Sequence, residues 1–344
     1  MTGSIIWELI EPLIIAEVGI NHNGNLETAI EMIHVAKNVG ADVVKFQTFK
    51  AKEIVSGEST YTYESNGKQV TETQLEMFSR YELDEKLWPV LKSECEKAGI
   101  IFMSTPQNSS DLDVLISIGL PAIKVGSDDL VNIPMLEDYA SRGLPIIIST
   151  GMSYLEEIDR ALRAIGWPKN SDVSALVCTS QYPTANEFAN VARVETLRNA
   201  FPGLIVGFSD HTEGNQAAVI ARTLGARIFE KHFTLNKSME GPDHSFSPDP
   251  DELRDWVTAI RSTDEILGSG VIAPDCNELV MRNIAHRSAH AGVCISAGEV
   301  ITKNMVVMLR PNIGLAPHRL QELIGKKAVH DIQAGQPLHL NLVN

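Results

Sequence analysis

Leu204-Ile205-Val206-Gly207-Phe208-Ser209-Asp210-His211 and Ala226-Arg227-Ile228-Phe229-Glu230-Lys231-His232 decide the fold of this chain. Each is a short apolar run that closes on polar residues, and residues 216–224 between them carry a helical period. Apolar runs of this length suit strands buried on both faces, and a helix joining two of them makes a parallel β-α-β unit. Both strands then end at the same rim of the sheet. His211 and His232 stand side by side there, placed to bind a metal ion.

The unit repeats outward along the chain. Apolar runs at 13–16, 43–46, 100–103, 122–125, 145–148, 174–177, 204–207 and 227–229 alternate with helical stretches such as 26–39, 85–98, 155–165 and 191–200. Eight such units over about 265 residues predict an α/β fold, a (β/α)8 TIM barrel over 1–270. A doubly wound sheet is the alternative. It needs a Gly-rich dinucleotide turn after the first strand, which Gly19-Ile20-Asn21-His22-Asn23-Gly24 does not supply. Residues 51–74 are polar, poorly periodic and follow the second strand, so they read as a lid over the barrel mouth. Residues 271–284 read as a linker, and 285–344 as a small, mostly β second domain.

The formal charge is 29 − 44 = −15. Such a chain is a poor partner for nucleic acid or anionic membranes. Any anionic substrate must be met by a few local cations against an unfavourable field. Cys95, Cys178, Cys276 and Cys294 lie far apart, with neither CxxC zinc spacing nor a disulfide framework. They read as reduced thiols of a cytoplasmic protein. The first eleven residues carry no signal core, and no run reaches the length of a membrane span.

In TIM barrels the active site lies at the C-terminal strand ends. The expected ends supply Glu17; Lys45 and Gln47; Ser104 and Thr105; Lys124, Ser127 and Asp129; Ser149, Thr150 and Gly151; Thr179, Ser180 and Tyr182; Ser209, Asp210 and His211; and Glu230 and His232. A lone lysine at a strand end is normally a solvated rim residue. Two of them in a ring of hydroxyls make a cradle for a phosphate or carboxylate, because lysine brings charge and hydroxyls bring directed donors. Each histidine alone reads as a hydrogen-bonded structural residue, and the pair reads as metal ligands. Glu17 is either a strut for Lys45 or a substrate contact. His22 is either a turn residue or part of the site, and Asp243 follows the eighth strand on a Pro-constrained loop. Few protein ligands and open coordination positions suit Mn, Mg or Zn acting as a Lewis acid.

Taken together, several stretches resemble the sialic acid synthase family, which makes N-acetylneuraminate and related nonulosonic acids. They are Glu17-Val18-Gly19-Ile20-Asn21-His22-Asn23-Gly24, Val44-Lys45-Phe46-Gln47-Thr48, Phe102-Met103-Ser104-Thr105-Pro106, Ile123-Lys124-Val125-Gly126-Ser127, Ser149-Thr150-Gly151-Met152, Cys178-Thr179-Ser180-Gln181-Tyr182-Pro183, Phe208-Ser209-Asp210-His211-Thr212, Glu230-Lys231-His232-Phe233-Thr234 and Gly241-Pro242-Asp243. The tail resembles the family's antifreeze-like SAF domain, with Leu309-Arg310-Pro311 at its substrate-contacting arginine.

The resemblance implies a transferase that condenses phosphoenolpyruvate with an open-chain acylated amino sugar and releases phosphate by C–O cleavage. It implies catalytic roles for Glu17, Lys45, Lys124, Asp129 and Tyr182. Phosphoenolpyruvate falls to Lys45, Thr105, Lys124, Ser127, Ser149, Ser180 and Ser209, and the sugar to Gln47, Asp129, Tyr182, Asp243 and Arg310. The metal, Mn2+ first and Mg2+ or Co2+ otherwise, falls to His211 and His232. Arg310 comes from the partner of a domain-swapped homodimer. Some members carry Asn at Ser180, Glu at Asp129 and Gly at Asn312. The sugar is therefore open between N-acetylmannosamine and a 6-deoxy-2,4-diacetamido hexose leading to legionaminate or pseudaminate. A metal-dependent hydrolase on a barrel competes, but gives the two lysines little to do. A non-catalytic sugar- or ice-binding protein leaves the polar strand ends unexplained.

Overall fold

The computed structural model describes residues 11–344 apart from Gly57 and Asn66. The N-terminal stretch read above as lacking a signal core lies, but for its last residue, outside the described residues. The chain divides into two units, Met1–Gly268 and Ser269–Asn344.

The first unit is built on eight parallel strands: β1 (Leu13–Gly19), β2 (Val43–Thr48), β5 (Ile101–Pro106), β6 (Ile123–Val125), β7 (Ile146–Ser149), β8 (Val173–Cys178), β9 (Ile205–Ser209) and β10 (Ile228–His232). Two further strands, β3 (Thr60–Ser65) and β4 (Lys68–Thr73), form a separate antiparallel hairpin. The order across the sheet is β5-β2-β1-β10-β9-β8-β7-β6. The first and last strands pair, Leu13 opposite Ile228, and the edge strands β5 and β6 come to lie against each other. The predicted barrel is therefore the observed architecture.

Alternation along each strand explains both its core and its site. On β1, Ile14, Ala16 and Val18 pack outward under the helices, while Leu13 and Ile15 point into the barrel. The interior layer adds Val43, Met103, Ala122, Ile147, Leu176 and Ile228. Each buried side chain of this size contributes about 1.5–3 kcal/mol. Two residues further along the same inward face the chemistry changes. Ile15 gives way to Glu17, Val43 to Lys45, Met103 to Thr105, Ala122 to Lys124, Ile147 to Ser149 and Ile228 to Glu230. The apolar floor and the polar mouth are one period-two pattern read at different heights.

The hairpin interrupts the polar segment after β2, flanked by the short helix Ala51–Ile54 and the helix Gln74–Tyr81. Its anchor is Tyr63, which packs with Ile20, Phe49, Met77 and Tyr81. In the second unit, β11 (Ser288–Ala291) pairs antiparallel with β12 (Val306–Leu309) around Ala289, Ala291, Ile295, Ile332 and Leu338. The predicted linker needs a correction. Residues Cys276–Ala285 form a helix, started by a capping box in which Asp275 accepts from Glu278 N and Glu278 accepts from Asp275 N. Among the described residues no helix is long and apolar enough to cross a membrane.

Candidate active site

A cavity of about 840 Å³ opens at the C-terminal ends of the barrel strands. It extends from Glu17, Lys45 and Lys124 on the floor to Tyr61 and Phe78 around the hairpin.

Two buried lysines dominate its floor. Lys45 Nζ lies 2.9 Å from Glu17 Oε2, 2.9 Å from Thr105 Oγ1 and 3.5 Å from Glu230 Oε2. Lys124 Nζ donates to Ser149 Oγ at 2.7 Å and Val125 O at 2.9 Å, with Glu230 Oε1 at 3.7 Å. Ser209 donates to Glu230 Oε1 at 3.2 Å, and Gln47 Nε2 to Glu17 Oε1 at 3.2 Å. One carboxylate, Glu230, thus sits between two cations, and a second, Glu17, shares one of them. Burial raises the Glu17 carboxyl to about 7 against the opposing pull of Lys45. For Glu230, burial is outweighed by Lys124 and Lys45, and its carboxyl is held below the ordinary range. Burial also lowers the Lys124 ammonium, despite Glu230. Glu230 is therefore firmly ionised between the two lysines, while the Glu17 carboxyl titrates near neutral pH. This floor can accept a further anion.

The histidines stand on the next wall, with ring centroids 5.6 Å apart. His211 Nδ1 donates to Thr179 O at 2.8 Å, so in the neutral ring Nε2 carries the lone pair; burial lowers this histidine, but Cys178 and the Thr179 carbonyl outweigh it and hold it above the ordinary range. His232 Nδ1 is buried without a hydrogen-bond partner, 3.9 Å from Asp243 Oδ2. Burial first, then His211 and Lys45, hold His232 well below the usual histidine range, so it is a neutral ligand donor. Among the described residues no group of three or more His, Cys, Asp and Glu is set to hold a metal. The pair fits an ion that takes two imidazoles and fills its other positions with water or substrate oxygen. The Tyr182 ring covers His211 at 4.2 Å.

Between floor and wall lies a tight seat of small residues. Gly151 N donates to Ser127 Oγ at 3.0 Å, and Ser180 Oγ is buried without a partner. A Cβ on Gly151 would come within 2.3 Å of Ser180 Oγ and 2.8 Å of Ser127 Oγ. The structure therefore gathers Glu17, Lys45, Gln47, Thr105, Lys124, Ser127, Asp129, Ser149, Ser180, Tyr182, Ser209, His211 and His232 around one cavity. Asp243 reaches it through His232. Arg310 is exposed in the second unit, directly after β12. Two residues take larger parts than their strand-end positions indicated. Glu230 is the shared counter-ion of both lysines, and Cys178 lies 3.8 Å from His211 Nδ1.

The chain matches the NeuB family over residues 32–272 and the SAF domain over residues 286–344. It is 39% identical over 330 residues to an N,N'-diacetyllegionaminic acid synthase of Legionella pneumophila, covering 94% of this chain and 92% of that one. A Campylobacter jejuni protein of the same name is 38% identical over 319 residues, covering 92% and 95%. The crystal structure of an N-acetylneuraminic acid synthetase from Leptospira borgpetersenii superposes with a TM-score of 0.69 at 32% identity, over 79% of this chain and 90% of that one.

Proposed function

The chain belongs to the NeuB family, and from that premise we propose that it is a nonulosonic acid synthase. It joins phosphoenolpyruvate to an open-chain acylated amino sugar and yields a nine-carbon 2-keto acid and phosphate. The observation that carries the reading is the pair of buried lysines on Glu230, beside the two histidines, of which His232 Nδ1 is buried without a partner.

In this reading Lys45 and Lys124 hold the charges of phosphoenolpyruvate, with Thr105, Ser127, Ser149, Ser180 and Ser209 donating to its oxygens. A divalent metal on His211 and His232, Mn2+ first with Mg2+ or Co2+ as alternatives, supplies Lewis-acid polarisation of the sugar aldehyde. The enol carbon forms the new C–C bond, and the aldehyde oxygen takes a proton. Water adds at C2, and the C–O bond to phosphate breaks. Glu17, with its carboxyl near 7, gives the aldehyde oxygen its proton and takes one back from that water, and the second water proton leaves with phosphate. Gln47, Asp129, Tyr182 and Asp243 orient the sugar.

A 6-deoxy-2,4-diacetamido hexose is favoured over N-acetylmannosamine by the two relatives named legionaminic acid synthases. An apolar stretch of the cavity wall, Ile54, Val55 and Phe78, supports a sugar that carries a methyl group. The helix Cys276–Ala285 has no buried residue and exposes Val280, Met281 and Ile284. That supports a domain-swapped homodimer in which the partner subunit supplies Arg310 to the N-acyl group. Four free cysteines support a cytoplasmic location.

The test is phosphate release from phosphoenolpyruvate with Mn2+ and a panel of N-acetylmannosamine and 2,4-diacetamido-6-deoxy hexoses. Release that depends on one of these sugars is expected. No release with any of them would sink the proposal.

A further inference from the structure

The turn Asn21-His22-Asn23-Gly24 after β1 has no part in the chemistry above, yet it grips the loop after β10. Asn23 adopts φ 54, a left-handed conformation that costs a non-glycine residue energy and is kept where the surroundings enforce it. Its Nδ2 donates to Glu240 O at 2.9 Å. A carbonyl only accepts, so this bond fixes which way the Asn23 amide points. Its Oδ1 therefore faces His244 Nε2, at 3.1 Å, and that nitrogen carries the hydrogen. His244 is fully buried, and burial lowers it to about 4, so the ring is neutral. Nδ1 must then accept, and Thr234 Oγ1 lies 2.6 Å away, its one hydrogen shared between Nδ1 and Asn236 O at 3.1 Å. One amide thus holds the chain at Glu240 and at His244, on either side of Gly241-Pro242-Asp243.

The enclosed segment is fitted closely to this grip. Gly241 has φ 154, and a Cβ there would lie 2.7 Å from His244 Cδ2 and 3.2 Å from Asn23 Oδ1. Its N–H donates to Ser65 Oγ at the end of β3, and Ser247 Oγ donates to Asp243 O at 2.5 Å. The carboxylate so delivered lies 3.9 Å from His232 Nδ1.

We propose that Asn23 and His244 are positioning residues, a clamp across the loop after β10 that sets the Asp243 carboxylate in front of His232 to receive the sugar. This rests on the reading of Asp243 as a sugar contact. Displacing a positioned group by about 1 Å costs on the order of a hundredfold in rate, so the clamp is worth about tenfold or more in the sugar KM.

The experiment compares full-length Asn23→Ala, His244→Ala and His244→Gln with wild type and Asp243→Asn. It uses phosphate release with Mn2+ and whichever panel sugar the wild type turns over, with melting temperatures measured alongside. Asn23→Ala and His244→Ala should raise the sugar KM about tenfold or more with the phosphoenolpyruvate KM unchanged. His244→Gln places an amide N–H where Nε2–H stood and should recover most of the loss. The clamp is refuted if the sugar KM does not move, if both KM values move alike, or if His244→Gln behaves as His244→Ala. If an alanine variant does not fold, Asn23→Asp, which keeps the acceptor for His244 and loses the donor to Glu240, must show the same split or the clamp falls. An Asp243→Asn protein with normal sugar KM overturns the reading of Asp243 and the clamp with it. An impaired Asp243→Asn beside a normal Asn23→Ala overturns the clamp alone.

Discussion

Lys124→Met separates anion binding from folding. Lys124 faces Glu230 Oε1 at 3.7 Å, which in an effective dielectric of about 20 is worth about 4 kcal/mol of attraction. Two effects offset most of it. Methionine removes the cost of burying an ammonium, and Glu230 keeps Lys45 at 3.5 Å as counter-ion. The variant should lose about 1–2 kcal/mol of stability, a few degrees of melting temperature. Phosphoenolpyruvate has no such replacement. Truncating one partner of a buried charged pair costs about 2–5 kcal/mol, or roughly thirtyfold to several-thousandfold in Kd. Titration calorimetry with phosphoenolpyruvate, beside scanning calorimetry, reads both quantities. A Kd within about threefold of wild type would refute the assignment of Lys124 to the anion. A large fall in melting temperature would make Lys124 a strut of the fold instead.

Four further outcomes are expected. Gly207→Ala puts a Cβ 2.3 Å from Ile228 O and 2.9 Å from Ile228 Cβ, so β9 must move off β10; a loss of about 1–3 kcal/mol with weakened Mn2+ binding is expected, and an unchanged melting curve would contradict it. His232→Ala should abolish Mn2+ binding by titration calorimetry while phosphoenolpyruvate still binds, and retained Mn2+ affinity would remove His232 from the metal site. Glu17 has a folded-state pKa above its unfolded value, so its contribution to stability is full below about 4.5 and is lost as pH rises through about 7; Glu17→Gln should gain melting temperature over wild type across that window, and parallel pH profiles would count against it. Arg310→Ala should raise the sugar KM and leave phosphoenolpyruvate binding intact, and an unaltered sugar KM would end its assignment to the N-acyl group.

The barrel and most of its mouth were legible because both follow from strand alternation. Once Ile15, Val43 and Ala122 are placed inside, Glu17, Lys45 and Lys124 must point the same way. The role of Glu230 was not legible. Only closure of the sheet brings the inward faces of β2, β6 and β10 to one point. The clamp was hidden for a similar reason, since Asn23 and His244 are 221 residues apart. The hairpin Thr60–Ser65 and Lys68–Thr73 escaped because polar residues fill both its faces and Tyr63 is its one well-buried tyrosine. Yet Asn66-Gly67 is a turn signal for such a hairpin. The helix Cys276–Ala285 was masked by the Gly/Pro/Ser run before it, although Asp275 and Glu278 carry its capping box.

The carboxylates beside Lys45 and Lys124 give the site proposed for phosphoenolpyruvate a threshold for anions. A tethered carboxylate competes for its ammonium at an effective concentration of the order of millimolar or more. A free monoanion such as chloride or acetate brings one charge against that competitor and gains nothing by replacing it. In the proposed role, a phosphate-bearing polyanion would meet both lysines at once, and Glu17 can yield its place by taking a proton. Under the proposed function, the mouth of the barrel would sort solutes by valence before it reads their shape.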